Sequence, residues 1–592
     1  MRTSIATVCL SGTLDDRLDA AAAAGFDAVE IFENDLIASS SSPESIRQKV
    51  SDLGLSIDLY QPFRDAEGAP PQRFAAVTRR FRAKLDLMAR LGADTILICS
   101  SVAPDTIPDD TLIADQLRTL ADLAAARNMR VAYEALAWGR HVSTWDHSWD
   151  IVRRADHRAL GLCLDSFHVL SRTDDYRDIR NVPAEKIFFL QLADAPRLAM
   201  DVLQWSRHHR LFPLQGGLDL AGFTRAVLDA GYTGPLSLEV FNDVFRQADP
   251  RRTAVDARRS LIALRDDALT PAPALNGIAF AELGVDATSA PELETVLRAL
   301  GFTHSGQHRS KAVQLWEQGT ARILLNSGAP RLAEGSAAIR AFALESTDPE
   351  HSARRAAQLL AAPLPRQHRE READLTAVAA PDGTEVFFVR TPPTGDFLPT
   401  GEPAAGAGIT GIDHLSLAQP FDRYDEAALF YRTVLGLVDD EAGEFAAPFG
   451  LIRTLAIRDP ARSVRLALSV PVLRRGDWAP AIGHPQHITL ATSDLARTAS
   501  ALGDAVLPIP GNYYDDLAAR LDLPPSLMAE LRRLGAMYDE DEHGHYLQLF
   551  TPVVGDRVFF EIVQRVDGYR GYGFANDPVR MAAHRAQRLI KG

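Results

Sequence analysis

Eight short apolar runs, each followed by an amphipathic helical pattern, constrain the N-terminal part of this chain more than any other feature. The runs are Ser4–Val8, Ala28–Phe32, Leu55–Tyr60, Thr95–Cys99, Arg130–Glu134, Leu160–Asp165, Ile187–Leu192 and Leu236–Val240. Between them lie helix-periodic stretches such as Arg17–Ala24, Pro43–Leu53, Phe74–Leu91, Thr111–Arg127 and Leu220–Ala230. Gly25, Gly92 and Gly231 stand where helices end and strands begin, the position at which glycine supplies a left-handed cap. Strict alternation of this kind predicts an α/β fold, a (β/α)8 barrel. The competing layout is a doubly wound open sheet, but no Gly-rich phosphate turn follows the first strand.

In such a barrel, chemistry sits at the carboxyl ends of the strands. The last four runs close on Glu134, Asp165, Gln191 and Glu239. Three carboxylates converging on one mouth repel each other unless a cation compensates them. All-oxygen donors favour a hard divalent ion, so these four residues are expected to hold Mg2+ or Mn2+, with Co2+ as a further candidate.

A Pro/Ala-rich segment at Thr270–Asn276 ends this pattern, giving an expected barrel domain over residues 1–270. The chain of 592 residues is too long for one core. Beyond Asn276 the rhythm changes. Strand-like runs Gly277–Leu283, Ala312–Gln318 and Ala321–Asn326 surround a helix at Pro291–Leu300. After a second Pro/Gly/Ala-rich stretch, Thr391–Gly408, come a strand Gly411–Leu417, a helix Tyr424–Val434 and strands Arg453–Arg458 and Val464–Ser469. The unit restarts at Pro485–Ala491 and ends in Tyr546–Thr551 and Val558–Arg565. These are read as paired βαβββ modules, an α+β region divided into halves at residues 276–400 and 409–592. His414, His487 and Glu561 fall on equivalent strands at nearly equal spacing. Two histidines and one carboxylate form the facial triad of non-haem Fe(II) sites, so a second divalent ion, Fe2+ or Mg2+, is expected there.

Several local motifs carry a resemblance. Val29-Glu30-Ile31-Phe32-Glu33, Tyr60-Gln61-Pro62-Phe63-Arg64 followed by Glu67-Gly68, and Asp165-Ser166-Phe167-His168 make roughly Met1–Asp266 similar to the sugar phosphate isomerase/epimerase-like TIM barrels. Within them the region resembles the 3-dehydroshikimate dehydratases. Gln191 departs from the histidine common in that superfamily, though an amide oxygen ligates a hard ion well. The resemblance implies loss of water from 3-dehydroshikimate and aromatisation to protocatechuate. It also implies substrate contacts at Tyr60, Arg64 and Glu67, and makes His168 the candidate base or acid. Arg64 and Arg210 become candidates for the substrate carboxylate, which a guanidinium binds bidentately. A ketose isomerase or epimerase is the alternative, because the same metal cradle serves those reactions.

The C-terminal region, roughly Asn276–Arg585, resembles 4-hydroxyphenylpyruvate dioxygenase of the vicinal oxygen chelate superfamily. The matches are Arg309-Ser310-Lys311-Ala312-Val313, Tyr513-Tyr514, Leu547-Gln548-Leu549-Phe550-Thr551 and Phe560-Glu561-Ile562-Val563-Gln564-Arg565. The three ligands carry over, whereas the substrate shell does so in part. Gln548 and Asn576 match, but Asp577 replaces a phenylalanine and Leu468-Ser469-Val470-Pro471 lacks the usual asparagine. The expectations are therefore a metal-binding companion of the barrel, a second dioxygenase acting on an aromatic 2-oxo acid, or a structural or ligand-sensing module.

A formal charge of −15 argues against nucleic acid and anionic membranes as partners. Cys9, Cys99 and Cys163 sit in strand-like runs and read as small buried hydrophobes. Absence of a secretory pattern at the N-terminus makes the cytoplasm the expected compartment. The expected partner is the small-molecule substrate, with self-association into a homo-oligomer left open.

Overall fold

The computed structural model describes residues 1–265, 269–329, 334–365, 368–448, 450–472 and 486–591. It divides into two compact units, Met1–Leu269 and Thr270–Gly592. Asp266 and Pro485, ends of two expected stretches, lie outside the described residues.

In the first unit, β1 (Thr3–Ala6), β2 (Ala28–Phe32), β3 (Ser56–Phe63), β4 (Thr95–Cys99), β5 (Arg130–Glu134), β6 (Leu160–Asp165), β7 (Ile187–Leu192) and β8 (Leu236–Leu238) close in order into a parallel barrel. β1 returns to pair with β8 through Ser4 and Ser237. The strand side chains alternate between two cores. In β4, Ile96 and Ile98 join the layer between barrel and helices, whereas Leu97 and Cys99 join Leu59, Ala132, Cys163 and Phe189 in a separate cluster. All three cysteines are free and buried. Helix Pro71–Leu91 shows how the outer layer is made. Its Val77, Phe81, Leu85 and Met88 recur on one face, and Gly92 ends it at φ 83°.

Three strand limits differ from expectation. β1 stops early because Thr7–Cys9 winds into a 3-10 turn. β3 runs on to Phe63, and its last five residues, 59–63, are all buried. β8 ends at Leu238, leaving Glu239 on the loop just beyond the strand.

The second unit contains, among the described residues, two eight-stranded sheets. The first orders Thr376–Ala379, Glu385–Val389, Ala338–Ser346, Leu275–Gly284, Ala321–Asn326, Val313–Gln318, Thr303–His308 and Phe397–Pro399. The second orders Val438–Ala447, Gly450–Arg458, Arg465–Pro471, Ile409–Ala418, Gln486–Thr492, Val558–Val566, Gly544–Phe550 and Met537–Asp541. In each, two central antiparallel strands are flanked by parallel partners, the arrangement of paired βαβββ modules.

Strand register shows what became of the metal positions in the first half. His414 pairs with Thr489, Ser416 with His487, and Thr489 with Glu561. The same places in the first sheet are held by Phe280 opposite Ala343, Glu282 opposite Ala341, and Ala343 opposite Phe387. Phe280, Ala341 and Phe387 thus stand for His414, His487 and Glu561, and all three belong to one apolar cluster. The first half has a packed core where the second has ligands. Among the described residues, no helix is long and apolar enough to cross a membrane.

Candidate active site and metal centres

The barrel register brings the expected ligands to one level. Cys99 is paired with Glu134, Asp165 with Gln191, and Gln191 with Ser237, two residues before Glu239. Four polar side chains meet at the mouth because each of β5 to β8 ends its apolar run there. Glu134, Asp165 and Glu239 are all buried. Asp165 Oδ1 also accepts the backbone N–H groups of Phe167 and His168, which fixes its orientation.

Among the described residues, the cation between these acids is Arg210. Its Nη1 donates to Asp165 Oδ2 at 2.7 Å and to Glu239 Oε2 at 3.0 Å, and Ser206 Oγ accepts from its Nε and Nη2. One guanidinium does not balance three carboxylates. Burial pushes Asp165 up, but Arg210 and the bonds from His168 hold it below its ordinary range. Burial and neighbouring Asp165 push Glu239 up to about 7 despite Arg210. Glu134 lies well above its ordinary value, through burial and the charges of Glu239 and Asp165. Its Oε1 is buried and makes no hydrogen bond among the described residues. An orphaned buried carboxylate oxygen beside two further acids fits a divalent ion as donor set.

Gln191 reaches the same level from below. Its Nε2 donates to Glu30 Oε2 at 2.6 Å, and its Oε1 accepts from the Cys163 thiol at 3.3 Å. Glu30 also accepts from Gln61 Nε2 at 3.0 Å and from the Ser237 hydroxyl. Burial, with Glu239 nearby, raises Glu30 well above the carboxylate range, and it forms the floor of the mouth. Reading strand tips alone misses Glu30, because it stands in mid-strand; its acidity in an otherwise apolar run is the signal.

His168 packs edge-on against Trp138, with ring centroids 5.0 Å apart. The Ala137 N–H donates to its Nδ1 at 3.1 Å, and its Nε2 lies 3.8 Å from Glu134 Oε1. Burial drives its pKa down to about 3, so the ring is neutral. With Nδ1 accepting, the proton belongs on Nε2. Arg210 Nη2 also approaches Nε2, at 3.1 Å. A guanidinium cannot accept, so with the proton on Nε2 this is a contact of two donors, as short as the Ala137 bond.

One pocket is lined by Arg64, Glu134, His168, Arg207, Arg210 and Glu239. Tyr60 and Glu67 lie outside it. Tyr60 turns toward the helices, its hydroxyl donating to Glu33 at 3.3 Å. Glu67 accepts from Ser101 N at 2.6 Å and from the Tyr133 hydroxyl at 3.3 Å, and burial raises it to about 7. Arg207 is a lining residue that the sequence motifs do not point to. Burial, Arg64 and Arg210 together lower its pKa, which marks a crowded positive wall. A wider basin of about 860 Å3 opens at the other end of the barrel, beside Arg2 and Asp58, and collects none of the strand-tip acids.

In the second unit, His414, His487 and Glu561 offer ligand atoms within 4.8 Å of one another. Glu561 Oε2 lies 3.2 Å from His487 Nε2 and 3.5 Å from His414 Nε2. Burial raises Glu561, but the two imidazoles outweigh it and hold the group down at about 2. Residues of both centres therefore form divalent-metal donor sets.

The sequence profile described as Xylose isomerase-like TIM barrel matches residues 18–264, and that described as Hydroxyphenylpyruvate dioxygenase, HPPD, N-terminal matches residues 271–392. The 3-dehydroshikimate dehydratase of Pseudomonas aeruginosa is 44% identical, over 98% of this chain and 98% of its own length. The chain belongs to the 3-dehydroshikimate dehydratase family. The dehydratase of Pseudomonas putida is 42% identical over the same shares. A solved xylose isomerase-like TIM barrel/4-hydroxyphenylpyruvate dioxygenase fusion protein superposes with a TM-score of 0.90 at 41% identity, covering 99% of this chain and 100% of its own. The fusion of barrel and dioxygenase-like region is thus shared along the whole length of these dehydratase-family chains.

The C-terminal centre of this dehydratase-family chain has its own second layer of partners. Asp413 Oδ1 lies 2.9 Å from His414 Nδ1, and Arg565 pairs with both Asp413 oxygens at 2.8 and 2.9 Å. Although burial raises Asp413, Arg565 holds it well below its usual range. A charged carboxylate on Nδ1 turns Nε2 outward as the ligand atom. Asp413→Asn is expected to weaken divalent-metal binding at this centre about 10–100-fold, read by metal titration. The glutamine expected to reach a substrate is occupied. Gln548 donates to Glu561 Oε1 at 2.7 Å and accepts from Asn576 Nδ2 at 2.6 Å, and Asn576 in turn accepts from the Tyr513 hydroxyl.

Proposed function

We propose that the barrel dehydrates 3-dehydroshikimate to protocatechuate at the pocket lined by Arg64, Glu134, His168 and Glu239, beside which Asp165 and Gln191 stand paired at the ends of their strands. The observation that carries this reading is the set of buried, undercompensated carboxylates at the strand ends, with a neutral histidine donor beside them. Glu134, Asp165, Gln191 and Glu239 would hold Mg2+, Mn2+ or Co2+, which supplies Lewis-acid stabilisation to an enolate. The chain's own groups account for the rest. Arg64 and Arg207 line the pocket and, among the described residues, have no carboxylate partner as close as those of Arg210, so they bind the substrate carboxylate and orient the ring. Arg210 stays with Asp165 and Glu239, and lowers the pKa of both against the effect of burial. The proton lost from the carbon beside the ketone passes to water. His168, carrying its own proton on Nε2, gives that proton to the departing hydroxyl, which leaves as water while the ring regains a proton from solvent. Phe241, Trp138 and Leu136 form the apolar side of the pocket.

Incubation of the purified protein with 3-dehydroshikimate, followed at an aromatic absorbance, tests this reading. Protocatechuate is the expected product, and conversion of a ketose phosphate in its place rejects the reading. Arg207→Ala is expected to raise KM about 10–100-fold with a smaller change in kcat, the loss of a charged hydrogen bond made in ground and transition states alike.

For the C-terminal unit the proposal is a bound second divalent ion, Fe2+ or Mg2+, on His414, His487 and Glu561. The engagement of Gln548 by Glu561 and Asn576 favours a metal-binding companion over an enzyme for aromatic 2-oxo acids. Oxygen uptake with added Fe(II) and 4-hydroxyphenylpyruvate checks this, with none expected.

A further inference from the structure

A third group of metal-ligating side chains lies on the barrel, away from the buried acids. Asp110 opens helix Asp110–Ala125, His141 lies on the segment after β5, and His147 is on the first turn of helix Trp145–Ala155. Asp109 caps the first helix by accepting from Thr111 and Leu112 N–H, so the Asp110 carboxylate is not needed there. Instead, Asp110 Oδ1 meets His141 Nε2 at 2.8 Å and His147 Nε2 at 3.0 Å, and the two rings stand edge to face with centroids 5.0 Å apart. The three ligand atoms lie within 4.8 Å of one another. Both histidine side chains are 27% exposed and that of Asp110 is 37% exposed, open enough for an ion to enter and covered enough to hold their directions.

We propose that Asp110, His141 and His147 form a third cation site, selective for a borderline ion of the zinc type. Two imidazole nitrogens and one carboxylate oxygen are zinc donors, in contrast to the all-oxygen set of the barrel mouth. In a tetrahedral zinc site with bonds of 2.0–2.1 Å, neighbouring ligand atoms stand about 3.3 Å apart. The separations of Asp110 Oδ1 from the two imidazole nitrogens, 2.8 and 3.0 Å, need to open by about 0.3–0.5 Å, and water completes the fourth position.

The site ties together three pieces of chain, one of which, the segment after β5, also lines the reaction pocket through Leu136 and Trp138. His141 closes the segment whose earlier residues reach His168, through the Ala137 N–H on Nδ1 and the Trp138 ring. Leu136 N–H anchors the same segment on Ser100 Oγ at 3.0 Å, and Arg140 N–H on Ser101 O at 2.9 Å. A zinc ion at its far end clips this segment to the helix after β4, and so acts on the placement of His168 from a distance.

The test compares wild type with the double variant His141→Gln/His147→Gln. Glutamine keeps an N–H donor for Asp110 Oδ1 but is a poor zinc ligand. After equilibration with zinc and removal of the excess, elemental analysis is expected to find one zinc per chain fewer in the variant. Cobalt substitution is expected to lose the corresponding visible band. Asp110→Asn provides a second route to the same loss if the double variant fails to fold. Equal zinc content in wild type and folded variants overturns the proposal and leaves a hydrogen-bonded His–Asp–His cluster.

Discussion

Glu134→Gln abolishes dehydration while making the metal-free protein more stable. The substitution is isosteric and removes one charge from a site in which three acids share one guanidinium. Glu134 lacks both a cation of its own and a hydrogen bond on Oε1. Leaving such an oxygen buried costs about 1–3 kcal/mol, more when it is charged. The folded-state pKa is raised above the unfolded value, so the penalty is absent below about pH 4, where both states are protonated. It grows as pH rises past the unfolded pKa, because the unfolded chain ionises and the folded one resists. Glu134→Gln therefore gains stability at pH 7 and little at pH 4, read by thermal melts after chelation. In the presence of Mg2+ or Mn2+ the order reverses, since the ligand is lost. Turnover is expected to fall at least 10²–10³-fold, on the scale of removing one preorganised electrostatic contact from a buried site. Normal turnover, or an unchanged melt of the metal-free protein at pH 7, removes Glu134 from the ligand set.

This conflict between stability and function explains why much of the site is legible from residue order. Polar residues that close apolar strand runs are costly, and in a barrel their height along the axis follows from the alternation of strand and helix. Glu134, Asp165 and Gln191 can be placed that way, and Glu239 to within one residue. Side-chain direction is less legible. Tyr60 sits in the same motif as Arg64, but strand alternation sends it to the helix layer, where Glu33 takes its hydroxyl. Glu67 is drawn off by Ser101 and Tyr133, residues distant in sequence. Arg210 reads as a substrate clamp until its distances to Asp165 and Glu239 are known, and its neighbour Arg207 lines the same pocket.

In the C-terminal unit the same limits apply. The strand Ala338–Ser346 is hidden in the sequence because Ala337-Ala338-Ile339-Arg340-Ala341-Phe342-Ala343 is rich in alanine, a helix former. It is held as a strand by pairing on both sides, to Leu275–Gly284 and Glu385–Val389. Only when that strand is in place does the register reveal Phe280, Ala341 and Phe387 at the counterparts of the three ligands. The surface cluster of Asp110, His141 and His147 is hidden for a related reason, since His141 lies on an irregular segment whose path no periodicity fixes.

His168→Ala is expected to stop the reaction between its two halves rather than at its start. The Ala137 N–H on Nδ1 leaves the neutral ring with a donor, not an acceptor, facing Glu134. A ring protonated at Nε2 cannot take the proton from the carbon beside the ketone, but it can give one to the hydroxyl one carbon further on. Removing a positioned acid costs about 10²–10⁴ in rate, so protocatechuate formation falls by that factor. The earlier step survives. In D2O the variant continues to exchange the carbon-bound proton next to the ketone, visible as loss of its NMR signal in unconsumed substrate. Metal content measured alongside shows that the carboxylates are still loaded. If exchange and dehydration fall together, His168 is the base, and the tautomer assigned from Ala137 is wrong.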